Sequence, residues 1–376
     1  MIVLSEGDFR MKKALCASLA ILMILLSGCG TRSQGPAAGK SASSVSHLVK
    51  GIEQMVNSKE YQTIEAKLED GRPWAPLAVT DGGQIYGYVT SKDKTFSQIL
   101  CYDINTNKIE SLYMTEKGFE PYQLSECGDF LLWCESVSPH PSGSSKIVLY
   151  NKKTKTTKAL SLSRDDPNHI ALGKNAALWS ETDPDRQHWQ IDQYDLHTGK
   201  TSVLAEDADQ PAVGDHFIAW LGRKSSKNGA VYVKNLNTDQ IEKITDEDYP
   251  TGLAACGDKL IYCGYPTQED FEGKMPHNSE LVLYQNGRKK TLETSAKLSY
   301  ESPSICASCV SWNDNTATRI YSFLDDKIIT LQNQSGTSLS CDSYLIWTVA
   351  DPTETKEQAI KDGMVSVKIN ILKIPQ

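Results

Sequence analysis

"ECGDFLLWC" (residues 126–134) and "ACGDKLIYC" (residues 255–263) are one phrase written twice in the same chain. Each runs from a cysteine through Gly-Asp and a short apolar run to an aromatic, then a second cysteine. A disulfide-closed hairpin or a metal site would fit either copy alone. The rest of the chain points to architecture instead, because the phrase recurs elsewhere without the paired cysteines. "GGQIYGY" ends at Tyr88, "KNAALW" at Trp179, "DHFIAW" at Trp220, "ASCVSW" at Trp312 and "SYLIW" at Trp347. With Trp133 and Tyr262 of the opening copies, these aromatics recur every 35 to 50 residues, the spacing of a repeat array. A proline precedes six of the seven by nine to twelve positions: Pro76, Pro121, Pro167, Pro211, Pro250 and Pro303.

Each unit continues in the same way. After a variable polar stretch comes an alternating segment such as "QILCYDI", "KIVLY" or "QIDQYDL". A turn such as "NTNK", "HTGK" or "NGRK" follows, then a closing segment such as "IESLYM", "TKALSL" or "TSVLAE". Alternation bounded by Asn, Gly and Thr is the hairpin signature. Four strands per unit of this length make a propeller blade. The fold expected is therefore all-β, a seven-bladed β-propeller of four-stranded antiparallel blades. The last blade lacks a fourth strand after "VSVKINILKI" (365–374), whereas "YQTIEAKLED" (61–70) reads as a fourth strand with no blade before it. This amino-terminal strand is expected to complete the seventh blade and close the ring.

The repeat also accounts for the cysteines. Cys127, Cys256, Cys306 and Cys341 stand six residues before their aromatics, where other units have Gly82, Gly173 and Gly214. That position calls for a small residue. Cys134 and Cys263 follow the aromatic, where Val89, Ser180, Leu221, Asn313 and Thr348 stand in other units. Free cysteine packs as a small hydrophobe. A hairpin turning at Gly128-Asp129 sets Cys127 opposite Phe130, not Cys134. Cys306-x-x-Cys309 has the spacing of a redox or metal motif, but it lacks a second pair and a nearby histidine.

The units "QPAVGDHFIAWLG…AVYVKNLNTDQIEKIT" and "DPNHIALGKNAALWSE…QIDQYDLHTGKTSVL" resemble TolB-type propeller repeats of bacterial envelope proteins. The resemblance spans residues 61–376. It departs from that family in lacking the Ser-Pro-Asp-Gly turn and in having seven units rather than six. It implies a propeller of the cell envelope and does not imply a shared partner.

The amino terminus carries an address. Met11, Lys12 and Lys13 precede the apolar run "ALCASLAILMILL" (14–26), too short to span a bilayer and typical of a signal peptide. "LSGC" ends it at Cys29 and resembles a lipobox, which implies cleavage and lipidation of Cys29. Residues 1–28 are expected to be the signal peptide, with Met11 a possible true start. Residues 29–60 are expected to be a flexible tether and a short helix with Ser46 as N-cap and Leu48, Ile52 and Met55 on one face. These features place the chain at the cell membrane, lipid-anchored on the extracytoplasmic side.

Composition narrows the function. Net charge is −8 over 376 residues, which speaks against a nucleic-acid partner. There is no HExxH, P-loop, GxSxG or EF-hand loop. No catalytic residue, metal site or cofactor is therefore expected. The connections between units are acidic, and a propeller gathers them on one face together with the variable loops after the aromatic strands. The residues expected to contact a partner there are Asp166, His169, Arg186, His188, Trp189, Asp207, Asp209, Asp246 and Asp248. The function expected is non-catalytic binding or scaffolding of an envelope protein, peptide or glycan by a monomer. The alternative is an envelope glycan lyase or hydrolase with its site in the central funnel.

Overall fold

The computed structural model describes residues 50–137, 145–163, 169–182, 188–224, 227–245, 249–267, 270, 278–296, 300–314, 316–332, 336–351 and 364–375. Cys29, Asp166, Arg186, Asp246 and Asp248 lie outside the described residues, as do Ser46 and Leu48.

The chain is a seven-bladed propeller of four-stranded antiparallel sheets. Strand β1 (Gln62–Glu65) comes first. Blade 1 is β2 (Ala75–Val79), β3 (Gln84–Thr90), β4 (Ser97–Asp103) and β5 (Lys108–Met114). Blade 2 is β6 (Phe119–Cys127), β7 (Phe130–Val137), β8 (Ser145–Asn151) and β9 (Thr156–Ser163). Blade 3 is β10 (Ile170–Leu172), β11 (Ala176–Thr182), β12 (Trp189–Asp195) and β13 (Thr201–Glu206). Blade 4 is β14 (Ala208–Val213), β15 (Phe217–Lys224), β16 (Lys227–Asn235) and β17 (Ile241–Lys243). Blade 5 is β18 (Tyr249–Cys256), β19 (Lys259–Tyr265), β20 (Ser279–Gln285) and β21 (Arg288–Ser295). Blade 6 is β22 (Glu301–Ile305), β23 (Cys309–Asn313), β24 (Thr318–Ser322) and β25 (Lys327–Gln332). Blade 7 is β26 (Ser338–Ser340), β27 (Tyr344–Ala350) and β28 (Val367–Lys373), completed by β1.

The expected closure is present. β1 pairs antiparallel with β28, Gln62 opposite Ile371 and Glu65 opposite Lys368. The first strands of the blades contact one another around the ring, β26 meeting β2 where the circle closes.

Every anchor aromatic lies on the second strand and is buried, from Trp133 and Trp312 at 0% exposure to Tyr88 at 8%. Rings of this size bury 150–250 Å², roughly 4–6 kcal/mol of gross transfer free energy each before conformational entropy is counted. The prolines have a physical role that their spacing alone does not reveal. The register of the first strand shifts between Pro76 and Ala78, between Pro121 and Gln123, across Pro211, between Pro250 and Gly252, and across Pro303. Proline has no N–H for the ladder, so it sits where the innermost, channel-side strand bulges.

The turns between third and fourth strands share one chemistry. Asp103, Asn151, Asp195 and Asn235 each accept two backbone N–H groups from the residues two and three positions on, at 2.7–3.2 Å. The chain then leaves through a positive φ at Asn107, Lys155, Gly199 and Asp239. The turns between first and second strands lie on the same face and link neighbouring blades. Asp342 accepts the N–H of Ala307 at 2.8 Å, and Asp81 accepts that of Ser343 at 2.8 Å across the closure.

The small-residue position is confirmed at these turns. Cys127, Cys256, Cys306 and Cys341 are all buried. A Cβ on Gly173 would meet Val213 at 2.7 Å, and one on Gly214 would meet Phe217 at 2.3 Å and the Gly257 carbonyl at 2.8 Å. Cys127 faces Phe130 as expected, and all eight described cysteines are thiols.

Helix α1 (Ile52–Asn57) has Gly51 at its N-cap, with no side-chain cap of its own. Asp325 of blade 6 supplies the acceptor, at 3.4 Å from the Glu53 N–H, and a Cβ on residue 51 would collide with that carboxylate. Ile52 is fully buried against Cys306, Cys309 and Trp347.

Gly214→Ala is expected to cost about 1–3 kcal/mol by overpacking at the blade 4–5 turns, read as a lower urea midpoint with unchanged slope. A midpoint equal to wild type would show that the position does not demand a small residue.

Candidate functional site

The face opposite those turns carries the connections between blades and the loops joining second and third strands. At the junction of blades 3 and 4 it brings several expected residues together. His169 stands at the head of β10 and is 6% exposed. Its Nδ1 lies 3.0 Å from Oδ1 of Asp209 on β14. Arg223, near the end of β15, donates from Nη1 to the other carboxylate oxygen at 2.6 Å. The Arg223 guanidinium also lies 4.5 Å from the centre of the Trp189 ring, a cation–π contact. His188 and Asp207 approach to 3.9 Å.

The local backbone explains how residues on two blades converge. Asp207 and Gln210 both adopt positive φ, at 50° and 52°, on either side of Asp209. The connection thus kinks twice and turns Asp209 toward blade 3. The carbonyl of Asp207 accepts the Arg223 N–H at 2.6 Å, which ties the kink to β15. The Gln210 N–H donates to Ser180 Oγ at 3.0 Å, and Gln210 Nε2 donates to the Thr251 carbonyl of blade 5 at 3.2 Å.

Electrostatics fix the state of the pair. Burial by itself would raise the Asp209 carboxyl, but the His169 ring, Arg223 and the Gln210 N–H together hold it well below the ordinary carboxylate range. An ionised Asp209 accepts from Nδ1 and fixes the ring, leaving Nε2 outside the pair. Nε2 makes no hydrogen bond among the described residues. The Oε1 of Gln210, a residue only 8% exposed, is likewise buried without a hydrogen-bond partner among them. The site therefore offers an unfilled hydrogen-bonding edge beside an aromatic–guanidinium stack.

Trp189 is half-buried at the head of β12, opposite Thr182. Among the described acids of the connections, several carboxylates are paired. Asp70 meets Arg72 at 2.8 Å, Glu116 meets Lys146 at 2.8 Å, and Asp209 meets Arg223.

Arg223 was not among the residues that the sequence analysis expected at the site. Nor was the acid that stands two places after the anchor tryptophan. Trp133 Nε1 donates to Glu135 at 2.7 Å, and Trp179 Nε1 to Glu181 at 3.0 Å. Glu135 is fully buried, with Lys146 at 3.3 Å, and burial raises its carboxyl despite Trp133 and Lys146. Asp314, two places after Trp312, pairs with Arg319 at 2.6 Å. The Trp-x-acid spacing was the available signal.

Comparison with known proteins bears on the fold. No family model matches the chain, and no curated protein matches it in sequence. Among solved structures it is similar to the β-propeller domain of the trilobed protease from Pyrococcus furiosus, with a TM-score of 0.57 and 11% identity over 81% of this chain and 97% of that one. It is also similar to an oligogalacturonate lyase from Vibrio parahaemolyticus, with a TM-score of 0.53 and 8% identity over 84% and 97% of the two chains. An acylaminoacyl peptidase from Pyrococcus horikoshii matches with a TM-score of 0.51 and 12% identity, over 79% of this chain and 54% of the peptidase. At such identities the likeness is one of fold alone. Among the described residues no helix is long and apolar enough to cross a membrane, and no three His, Cys, Asp or Glu side chains gather as a metal would require.

Asp209→Asn is expected to cost about 3 kcal/mol at pH 7, because it leaves the Arg223 guanidinium without its counter-charge and His169 without its ionised partner. A carboxyl lowered on folding stabilises above its unfolded value, about 3.9, and loses that contribution as pH falls toward its folded value. Urea unfolding should therefore show the gap between wild type and variant narrowing below about pH 4. A gap that widens there would contradict the ionised pair.

Proposed function

We propose that the chain is a lipid-anchored, extracytoplasmic, TolB-like propeller of the bacterial cell envelope that acts as a binding module, with its ligand seated at the blade 3–4 junction of the loop face. The carrying observation is the unfilled edge formed by His169 Nε2 and Gln210 Oε1 beside Trp189 and Arg223. Both are polar atoms without a hydrogen bond among the described residues, and the nearby stack suits a flat or ring-shaped group. That combination fits a peptide or glycan that presents hydrogen-bonding groups beside an apolar face. The membrane location is supported by the apolar run of residues 14–26 and the "LSGC" ending at Cys29. A diacylated cysteine would anchor stably where a single chain would not.

One observation favours a second reading, an envelope glycan lyase or hydrolase. Asp209 orients His169 in the manner of a carboxylate that sets the tautomer of a general base. A propeller of this extent is nearly the whole of the oligogalacturonate lyase, 97% of that chain.

Native-envelope cross-linking of the full-length chain, followed by capture, should recover a partner peptide or glycan. Trp189→Ala should reduce that recovery by about tenfold, the loss of one aromatic contact of ~1.4 kcal/mol. Undiminished recovery would remove the loop face from consideration. Cys29→Ser should abolish palmitate labelling and release the protein from the membrane fraction. Depolymerisation of a polygalacturonate or related glycan, with or without added manganese, that is lost in His169→Ala would install the enzyme reading instead.

A further inference from the structure

Cys306 and Cys309 flank a two-residue turn between β22 and β23. The Cys306 N–H donates to the Cys309 carbonyl at 2.9 Å, which makes them a directly opposed, hydrogen-bonded pair. Such pairs hold their Cα atoms about 5.5 Å apart, inside the roughly 4.4–6.8 Å window a disulfide accepts. The side chains already point at each other, with the sulfurs 3.6 Å apart in a thiol–thiol hydrogen bond. Closing that gap to ~2.05 Å requires only side-chain rotation at both residues.

The other described cysteines are placed differently. Cys101 lies opposite Tyr86 and Glu110, Cys127 opposite Phe130, Cys134 opposite Gln123 and Ile147, Cys256 opposite Lys259, and Cys263 opposite Leu281. None has a cysteine as its cross-strand partner. Cys341 occupies the equivalent turn position of blade 7 with no thiol three residues on, where Tyr344 stands.

We propose that Cys306 and Cys309 are a redox site: a dithiol that closes to an intramolecular disulfide on reaction with a small hydroperoxide. Cys306 is the attacking sulfur. Hydrogen bonding from the Cys309 thiol and from the backbone N–H groups of Ser308 and Cys309 favours its thiolate and lowers its thiol, whereas the same contact and burial raise Cys309. The Cys306 thiolate attacks one peroxide oxygen, the O–O bond breaks, and the other oxygen leaves as the alcohol, or as water from hydrogen peroxide. The resulting sulfenic acid is displaced by the Cys309 sulfur, which forms the S–S bond and releases water. Two electrons pass from the two sulfurs to the peroxide. Both sulfurs are buried, whereas Ala307 in the turn that joins the two cysteines is exposed and Ser308 half-buried, so the peroxide enters by opening of that turn. Both cysteines belong to the same core cluster as Ile52 of α1, which places the pair near the base of the amino-terminal segment. This inference does not depend on the binding or anchoring readings.

The test uses the full chain treated with a slight molar excess of hydrogen peroxide, then denatured, alkylated and digested. The expected product is a peptide containing Cys306 and Cys309 that is lighter by about 2 Da and not alkylated, while the other cysteines are fully alkylated. Dithiothreitol should restore alkylation. In Cys309→Ser the reaction should stop at a sulfenic acid on residue 306, trapped by dimedone. Sulfinic or sulfonic acid at Cys306 in wild type, or equal alkylation of all cysteines after peroxide, would overturn the proposal; the wild-type measurement stands whether or not the variant folds.

Discussion

The fold depends on one pairing, that of β1 with β28. Seven blades must share one axis, and each can bury its faces only if a neighbour stands on both sides. Trp347, Ile369 and Ile371 lie in blade 7, and Leu77, Ile85 and Trp74 in and beside blade 1; both sets are buried to 4% exposure or less. Blade 7 owes its fourth strand to the opposite end of the chain. Without that strand the last sheet would present a row of unsatisfied backbone groups along β28, the edge that natural sheets cover or blunt. The Asp81 and Asp342 carboxylates make the same join at the inner ends, from blade 1 to 7 and from blade 7 to 6.

Within that frame, the loop side of the propeller is organised by charge placed under cover. Glu135, Asp209 and Asp314 are all 5% exposed or less, and each has a cation within 3.3 Å. Removing a charge from water is costly, so these acids persist only because Lys146, Arg223 and Arg319 stand on adjoining strands. Their effect is geometric as well as energetic. Asp209 draws a histidine from one blade and an arginine from the strand beside it to a single point. A surface described by its acids alone would seem to be a diffuse negative field; the pairs convert it into a set of defined positions.

The architecture was legible because it is written locally and repeated. The alternation in "QIDQYDL", the Asx-x-x-Thr turn ahead of Gly199, and the aromatic ending each second strand are decided by neighbours a few residues apart. Even the closure could be read, since "YQTIEAKLED" has the form of every other fourth strand. The site was less legible because its members belong to different repeats. Trp189 and Arg223 sit 34 positions apart in sequence, yet they stack. The connection between the two blades carries positive φ at Asp207 and Gln210, and the Asp207 carbonyl holds the Arg223 N–H. The described helix begins at Ile52, which belongs to the core cluster shared by blades 6 and 7, and Asp325 offers an acceptor there.

The closure also sets an order of events for the nascent chain. The partner of Gln62 is Ile371, so the strand made first waits for one of the last. Hairpins within each blade can form as they emerge, with contacts only a few tens of residues apart. The ring cannot. Joining its ends means closing a loop of some three hundred residues, a step whose entropic cost grows only slowly with length but which must be met before any of its contacts form. Until then the molecule is a curved row of blades with two open flanks. Whatever handles it during synthesis must keep those flanks from finding each other in a second chain, where β1 of one copy would complete blade 7 of another.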